Sequence, residues 1–267
     1  MVRVAISNLH AGIDGWGRDI DIVSRIVQVR PDLLICPETW RGSREDLYDE
    51  LRVALGMSGA FAVLAQAERA RATTGGRSWQ PWHSLLSGEH GLYFTEHRPL
   101  SASQLARRQR VDLEPGEWGL SLLTRLPILS LHVEPIGRLP RERVNRAVIV
   151  ATLEADGRAF RVIALHGAHI SHGSHRQYQR ISQLVASLSD DLPVLLAGDF
   201  NSWRPLLRAF LPGWRSLVHA RTWPARRPHS QIDHVLGRGP WRATSGGALD
   251  VGSDHRLLYA DLELERP

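Results

Sequence analysis

The residues of this chain that could do chemistry gather at the ends of apolar runs, where a fold can aim several of them at one substrate. The clearest case is Pro193-Val194-Leu195-Leu196-Ala197-Gly198-Asp199-Phe200-Asn201-Ser202. Its apolar residues read as a strand buried on both faces, too short for a helix. Gly198 is expected to let the backbone turn, and in extended chain Asp199 and Asn201, two residues apart, face the same point. A carboxylate there can take a proton or hold a metal, and an amide can anchor a water or a phosphate oxygen. Gly, Asp and Asn are also ordinary turn residues, so the segment gains meaning only from others like it. Asn8, Glu38 and His166 each follow an apolar run, Asp233 lies inside one, and Asp254 and His255 precede one. Asp233 is informative by itself, because a buried carboxylate without a partner is costly.

The elements that must position these groups follow from periodicity. Residues 18–29 carry Ile20, Val23, Ile26 and Val27 at the spacing of one helix face. Pro31 stops that helix and a strand at 33–36 follows. Strands 2–7 and 33–36, joined by a helical crossover, are expected to run parallel and to place Asn8 and Glu38 on one edge. Residues 43–55 predict a helix with Ser43 as N-cap and acidic Glu45 and Asp46 in its first turn. Short strands are predicted at 91–95 and 119–124, and a hairpin of 146–154 with 160–166 around Asp156-Gly157. That hairpin delivers His166, with His169, His172 and His175 close behind. A helix at 176–188 then leads into the strand 194–197, and strands at 232–236 and 257–264 complete the set. Residues 66–89 and 96–118 show no core period and are expected to be long irregular loops, a kind that is usually functional or disordered. No repeat, low-complexity tract or linker divides the chain, so residues 1–267 are expected to form a single domain.

Composition sets the limits. No stretch approaches about 18 consecutive apolar residues, so no membrane insertion is expected. Residues 1–8 alternate as a strand and lack the pattern of a signal peptide. The single cysteine, Cys36, lies in an apolar run, reads as an inert core residue and excludes an intrachain disulfide, which fits a cytoplasmic location. The formal net charge is +5 with a pI near 10.2, a balance that favours anionic partners. All 33 basic residues are arginine, which resembles a codon bias and makes arginine clusters less telling than usual. No Ser–His–Asp order suggests a serine nucleophile.

Seven motifs, in order along nearly the whole chain, resemble the endonuclease/exonuclease/phosphatase superfamily, the deoxyribonuclease I-like proteins. They are Ser7-Asn8-Leu9-His10-Ala11-Gly12, Pro37-Glu38-Thr39, residues 119–128 (G-x-x-x-L-[ST]-R-x-P-I), Ala164-Leu165-His166, Gly198-Asp199-Phe200-Asn201, Thr222-Trp223-Pro224 followed by Gln231-Ile232-Asp233, and Ser253-Asp254-His255. The resemblance implies a four-layer α/β sandwich, two mixed β-sheets packed face to face with helices outside. It implies divalent-metal-dependent hydrolysis of a phosphate ester by a monomer, with Mg²⁺ or Mn²⁺ as cofactor. Glu38 would ligate the cation, with Asn8 and Asp254 near it. Asp199 would orient or deprotonate the attacking water and Asn201 would help to place it. His166 and His255 would hold the phosphate, and Asp233 would fix the tautomer of His255. Phosphoryl transfer needs positioning and charge neutralisation more than covalent help, and hard oxygen donors suit these cations.

The chain departs from the family pattern at three points. Pro37 precedes Glu38 where many members carry glutamine. Leu165-His166-Gly167 stands where Thr-His-Leu is usual, which leaves His169 as a substitute for His166. Trp40 follows Thr39, and the lysine of the AP-endonuclease pattern is absent. For the substrate, Arg69, Arg71, Arg77, Arg107, Arg108 and Arg110 beside Trp79, Trp82 and Trp118 offer guanidinium forks for phosphates and indoles for bases. Nucleic acid is therefore the leading expected partner and a phosphodiester the leading substrate. The alternatives are phosphatase action on a small sugar or inositol phosphate, and a catalytically silent binding module on this fold.

Overall fold

The parallel pair expected at the start of the chain forms. Strand β1 (Val2–Ile6) lies beside β2 (Leu33–Gly42), and the crossover between them carries helix α1 (Ile22–Val29). A computed structural model of the chain describes residues 1–14, 17–71, 91–94, 99–109, 111–140, 142–188 and 192–265. After β2 come α2 (Leu47–Leu55), β3 (Ser58–Arg71), β4 (Gly91–Phe94), α3 (Ala102–Arg108) and β5 (Asp112–Thr124). The second half holds β6 (Ile128–Gly137), β7 (Arg146–Ala155), β8 (Arg158–His166), α4 (His175–Ser187), β9 (Val194–Asp199) and α5 (Arg204–Phe210). It ends with β10 (Arg215–Ser216), β11 (Asp233–Arg238), β12 (Trp241–Leu249) and β13 (Leu257–Leu264).

These strands make a seven-stranded sheet, ordered β12-β13-β1-β2-β5-β3-β4, and a six-stranded sheet, ordered β10-β11-β9-β8-β7-β6. Each contains one parallel pair, β1 with β2 and β8 with β9, among antiparallel neighbours. Side-chain alternation shows how the layers stack. Ile149, Ala151, Val162, Ala164, Leu195 and Ala197 join the core shared with the larger sheet, whereas Val148, Val150, Ile163, Leu165 and Leu196 pack with Tyr178 and Ile181 of α4 and Leu207 of α5. With a side-chain period of two, the smaller sheet is covered on both faces. Helices α1 and α2 pack on each other and add Ile22, Ile26, Leu47 and Leu51 to the larger core. The four-layer α/β sandwich is the result.

Several expectations about elements need correction. Helix α1 begins at Ile22, because Asp19 pairs with Ile13 in an isolated bridge. Ser43 is not a cap: β2 runs on to Gly42, Arg41 bridges to Asp46, and Asp46 caps α2 by accepting a bond from Asp49 N at 3.0 Å. Residues 66–71 and 112–118 are not loop but the paired ends of β3 and β5, in register from Ser58 opposite Thr124 to Arg71 opposite Asp112. Residues 72–90, with Arg77, Trp79 and Trp82, lie outside the described residues, as does Arg110. Gly198 does not turn the chain. It is inside β9, where a Cβ would stand 1.9 Å from Leu165 O, so glycine permits the close approach of β8 and β9.

Candidate active site

Three neighbouring strands put the acid and base groups side by side. In the β8–β9 ladder His166 stands opposite Asp199, and in the β9–β11 ladder Asp233 stands opposite Asp199. Asp199 and Asp233 are each only 1% exposed. Beyond Asp199 the backbone turns: Asn201 adopts φ 49° and its N–H donates to Asp199 Oδ1 at 2.7 Å. Asp199 and Asn201 therefore meet through a tight turn rather than through strand alternation. The Asn201 amide donates to Gly167 O at 3.1 Å and lies 3.4 Å from His166 Nε2.

The other sheet supplies the facing groups. Ladder bonds continue past the end of β1, from Ser7 N to Ile35 O and from Leu9 N to Pro37 O, and hold Asn8 beside Glu38. Glu38 lies where the β2–β5 register slips between Cys36 and Thr39, with φ 55°. Such a bulge re-aims a side chain. Asn8 Nδ2 donates to Glu38 Oε1 at 3.0 Å and to Asp199 Oδ2 at 3.2 Å, so one amide bridges carboxylates from the two sheets. Its Oδ1 is turned away and accepts from His10 N at 3.0 Å. From the segment before β13, His255 Nδ1 donates to Asp233 Oδ2 at 2.9 Å, and Nε2 lies 3.9 Å from Asp199 Oδ2. Asp254 is half-buried next to it and accepts from the Ser253 hydroxyl at 3.2 Å.

Electrostatics separate the two histidines. His166 is held well below the ordinary histidine value by burial, then by the Arg146 guanidinium and by His255. It is neutral at physiological pH, with Nε2 toward the site. His255 is held well above that value: burial opposes its charge, but Asp233, Asp254 and Asp199 outweigh burial. Asp199 is pushed up to about 7 by burial and by the neighbouring Asp233 carboxylate. Asp254 is held below the usual carboxylate range, because His10 and His255 overcome the effect of burial.

All eight residues expected in the metal and catalytic sets, Asn8, Glu38, His166, Asp199, Asn201, Asp233, Asp254 and His255, thus collect at one end of the sandwich. Of the expected substrate-binding set, His169 and Arg108 do not join them. His169 is exposed and bonds to Ser171 at 2.7 Å, with no bond to the cluster. Arg108, the last residue of α3, is bonded through two nitrogens to Glu68, Arg107 lies within that helix, and Arg110 and Trp79 lie outside the described residues. Arg69 is fully buried between Glu45 and Glu114 and cannot grip a phosphate.

Two features escaped the sequence. His10 is buried, donates from Nδ1 to Ile13 O at 2.6 Å, and is held above the ordinary histidine value as Asp254 and Glu38 outweigh burial. Its spacing two residues after Asn8 was the available signal. Behind His166 lies a buried network: Arg146 donates to His166 O at 3.1 Å and pairs with Glu142 at 2.9 Å. Glu142 accepts from Gln177 Nε2 at 3.1 Å, and Gln177 Oε1 accepts from Ala168 N at 2.8 Å. The Trp118 ring packs 5.2 Å from the His166 ring. The i,i+4 spacing of Glu142 and Arg146 was its only sequence trace.

A family model described as Endonuclease/Exonuclease/phosphatase family matches residues 8–255. The uncharacterized protein YbhP of Escherichia coli is 30% identical over 167 residues, 56% of this chain and 64% of that protein. A UPF0294 protein of Vibrio cholerae is 29% identical over 141 residues, 50% of this chain and 49% of its own length. The match thus spans 49% to 64% of the length of these curated relatives. Among solved structures, a Bacteroides thetaiotaomicron mannosyl-6-phosphatase superposes with TM-score 0.66 at 16% identity, covering 99% of this chain and 100% of its own. Zebrafish TDP2 complexed with single-strand DNA product superposes with TM-score 0.58 at 12% identity, covering 98% of each chain.

Proposed function

The chain belongs to the endonuclease/exonuclease/phosphatase family, and from that premise we propose that it hydrolyses a phosphate ester with a divalent cation, a phosphodiester of nucleic-acid type being the preferred class. The observation that carries this reading is the convergence of His166, Asp199 and Asp233 on adjacent strands, with a neutral and a cationic histidine on either side of one buried carboxylate.

Asp199, with a pKa of about 7, is matched to accepting a proton from water near neutral pH. Asn201 and Asn8 hold its two oxygens in place. His255, kept charged by Asp233, donates to phosphoryl oxygens as negative charge builds on them. His166, neutral, offers a second hydrogen bond on the opposite side. The donor set fits a hard cation: Glu38, Asp199, Asp233 and Asp254 crowd together, and Asp233 Oδ1 is buried without a partner. Asp199, Asp233 and His255 also offer ligand atoms within 4.8 Å of one another. There, however, the His255–Asp233 bond already occupies a donor, so Glu38 and Asp254 are the better assignment for Mg²⁺ or Mn²⁺. Asn8 would join them only by rotating its oxygen inward. Held there, such a cation would neutralise charge on the phosphate.

Chelation should abolish turnover and Mg²⁺ or Mn²⁺ should restore it. Glu38→Gln should shift the metal titration to higher concentration and recover part of the rate. Full turnover in excess chelator, or a Glu38→Gln titration that overlays the wild type, contradicts the metal assignment. A small soluble ester is the second reading, supported by the likeness to a mannosyl-6-phosphatase.

A further inference from the structure

The segment from Asn201 to Gln231 links two residues of the active site, Asn201 and Asp233, and contains six arginines and no aspartate or glutamate. In a chain whose basic residues are all arginine, an arginine count says little. The absence of any acid across this segment, in a chain with 28 acidic residues, is the more telling observation.

The structure pins this segment to the catalytic end. Thr222, fully buried, accepts through its hydroxyl from Asp233 N at 3.4 Å, and its carbonyl accepts from Arg256 N at 2.8 Å. Ala225 N donates to Asp254 O at 2.7 Å. The chain on either side of Thr222 and Ala225 is thereby held against the backbones of Asp233 and Asp254. Arg221 precedes this pinned stretch and Arg226 and Arg227 follow it. All three are exposed, and none meets a carboxylate among the described residues. At the other end, Trp203 stands two residues past Asn201 and is 52% exposed. By contrast, Arg44 pairs with Asp112, Arg52 with Asp49 and Arg108 with Glu68.

We propose that Arg221, Arg226, Arg227 and Trp203 form a binding rim for the strand flanking the scissile phosphate, a single-stranded polynucleotide. The proposal deepens the nuclease-like reading and rests on it. Unpaired guanidinium groups beside the reacting centre take successive phosphates, and an exposed indole gives a base a face to stack on. An anionic membrane would also attract arginine and tryptophan. The rim, however, offers a single large exposed apolar side chain, Trp203, among the described residues of this segment, too little to enter a bilayer.

The test is the salt dependence of binding of a fluorescein-labelled single-stranded oligonucleotide in chelator. Arg226→Ser with Arg227→Ser should weaken binding and reduce the slope of log affinity against log salt by about 1.4, two phosphate contacts at about 0.7 each. Trp203→Ala should weaken binding about tenfold or more. Arg44→Ser with Arg52→Ser makes the same charge change at arginines that carry acidic partners and should leave the slope unchanged. No oligonucleotide binding, an unaltered slope in the rim variant, an equal effect in the control pair, or tighter binding to phosphatidylglycerol vesicles than to the oligonucleotide overturns the proposal. Hydrolysis is measured separately with metal. Cleavage of the oligonucleotide by a protein whose binding ignores Arg226 and Arg227 rejects the rim alone, whereas an absence of cleavage of any phosphodiester rejects the nuclease-like reading.

Discussion

At the residue scale, Asp199 is a buried carboxylate whose charged form is held at a stability cost. Its folded pKa of about 7 lies above its ordinary 3.8. The folded, metal-free protein therefore binds this proton more tightly than the unfolded chain does. Its contribution is fully present below about pH 4, is lost as pH rises toward about 7, and is flat beyond. Asp199→Asn removes the titration. In chelator, its Tm should match the wild type near pH 4 and exceed it by at least about 3 °C at pH 8. A constant Tm difference across that range would show that Asp199 is not perturbed. Individual residues were the most legible feature of the sequence, because Asn8, Glu38, His166 and Asp199 each follow an apolar run, Asp233 lies inside one and His255 precedes one. What could not be read was how they are aimed. The bridging amide of Asn8, the left-handed backbone of Glu38 and the turn at Asn201 arise from tertiary bonds between segments distant in sequence.

At the element scale, the site depends on how the end of β8 is held. Arg146 on β7 and Gln177 on α4 grip the His166 carbonyl and the Ala168 N–H, and Glu142 joins them. They lie behind His166 and are expected to position it. Gln177→Met, close in size, should lower kcat about tenfold with KM within about twofold, whereas a merely structural loss would scale with the fraction unfolded and leave kcat per folded molecule unchanged. Strands buried on both faces, such as β9, and the hairpin around Asp156-Gly157 were evident from pattern. Strands β6 and β12 were not, since each is an edge strand with one side open to water and its exposed positions break the alternation. The outer half of β3 was hidden for another reason. Its Arg69 is buried as an ion-paired residue between Glu45 and Glu114, with Trp40 against its guanidinium at 4.8 Å. A hydrophobic period does not register a charged core residue.

At the scale of the whole molecule, two sheets each bring one parallel pair to the same end of the sandwich, and the ends of those pairs carry the proposed reacting groups. The net charge of +5 indicated an anionic partner without locating it. Arginines near residue 108 looked like the contact surface, but Glu68 answers Arg108, and the segment that links Asn201 to Asp233 holds Arg221, Arg226 and Arg227, exposed and without a carboxylate partner among the described residues. Placement of charge relative to acids depends on the fold, and only the absence of acids from residue 201 to 231 was visible beforehand. The central claim is that this end of the molecule hydrolyses phosphate esters with Asp199 as the base. It is tested most directly by the kcat of wild type and Asp199→Asn on a phosphodiester in saturating Mg²⁺ or Mn²⁺. Metal-dependent turnover by the wild type and a fall of at least about 10²-fold in the folded variant are predicted. Equal kcat values, or turnover by neither protein on any phosphate ester, would contradict it.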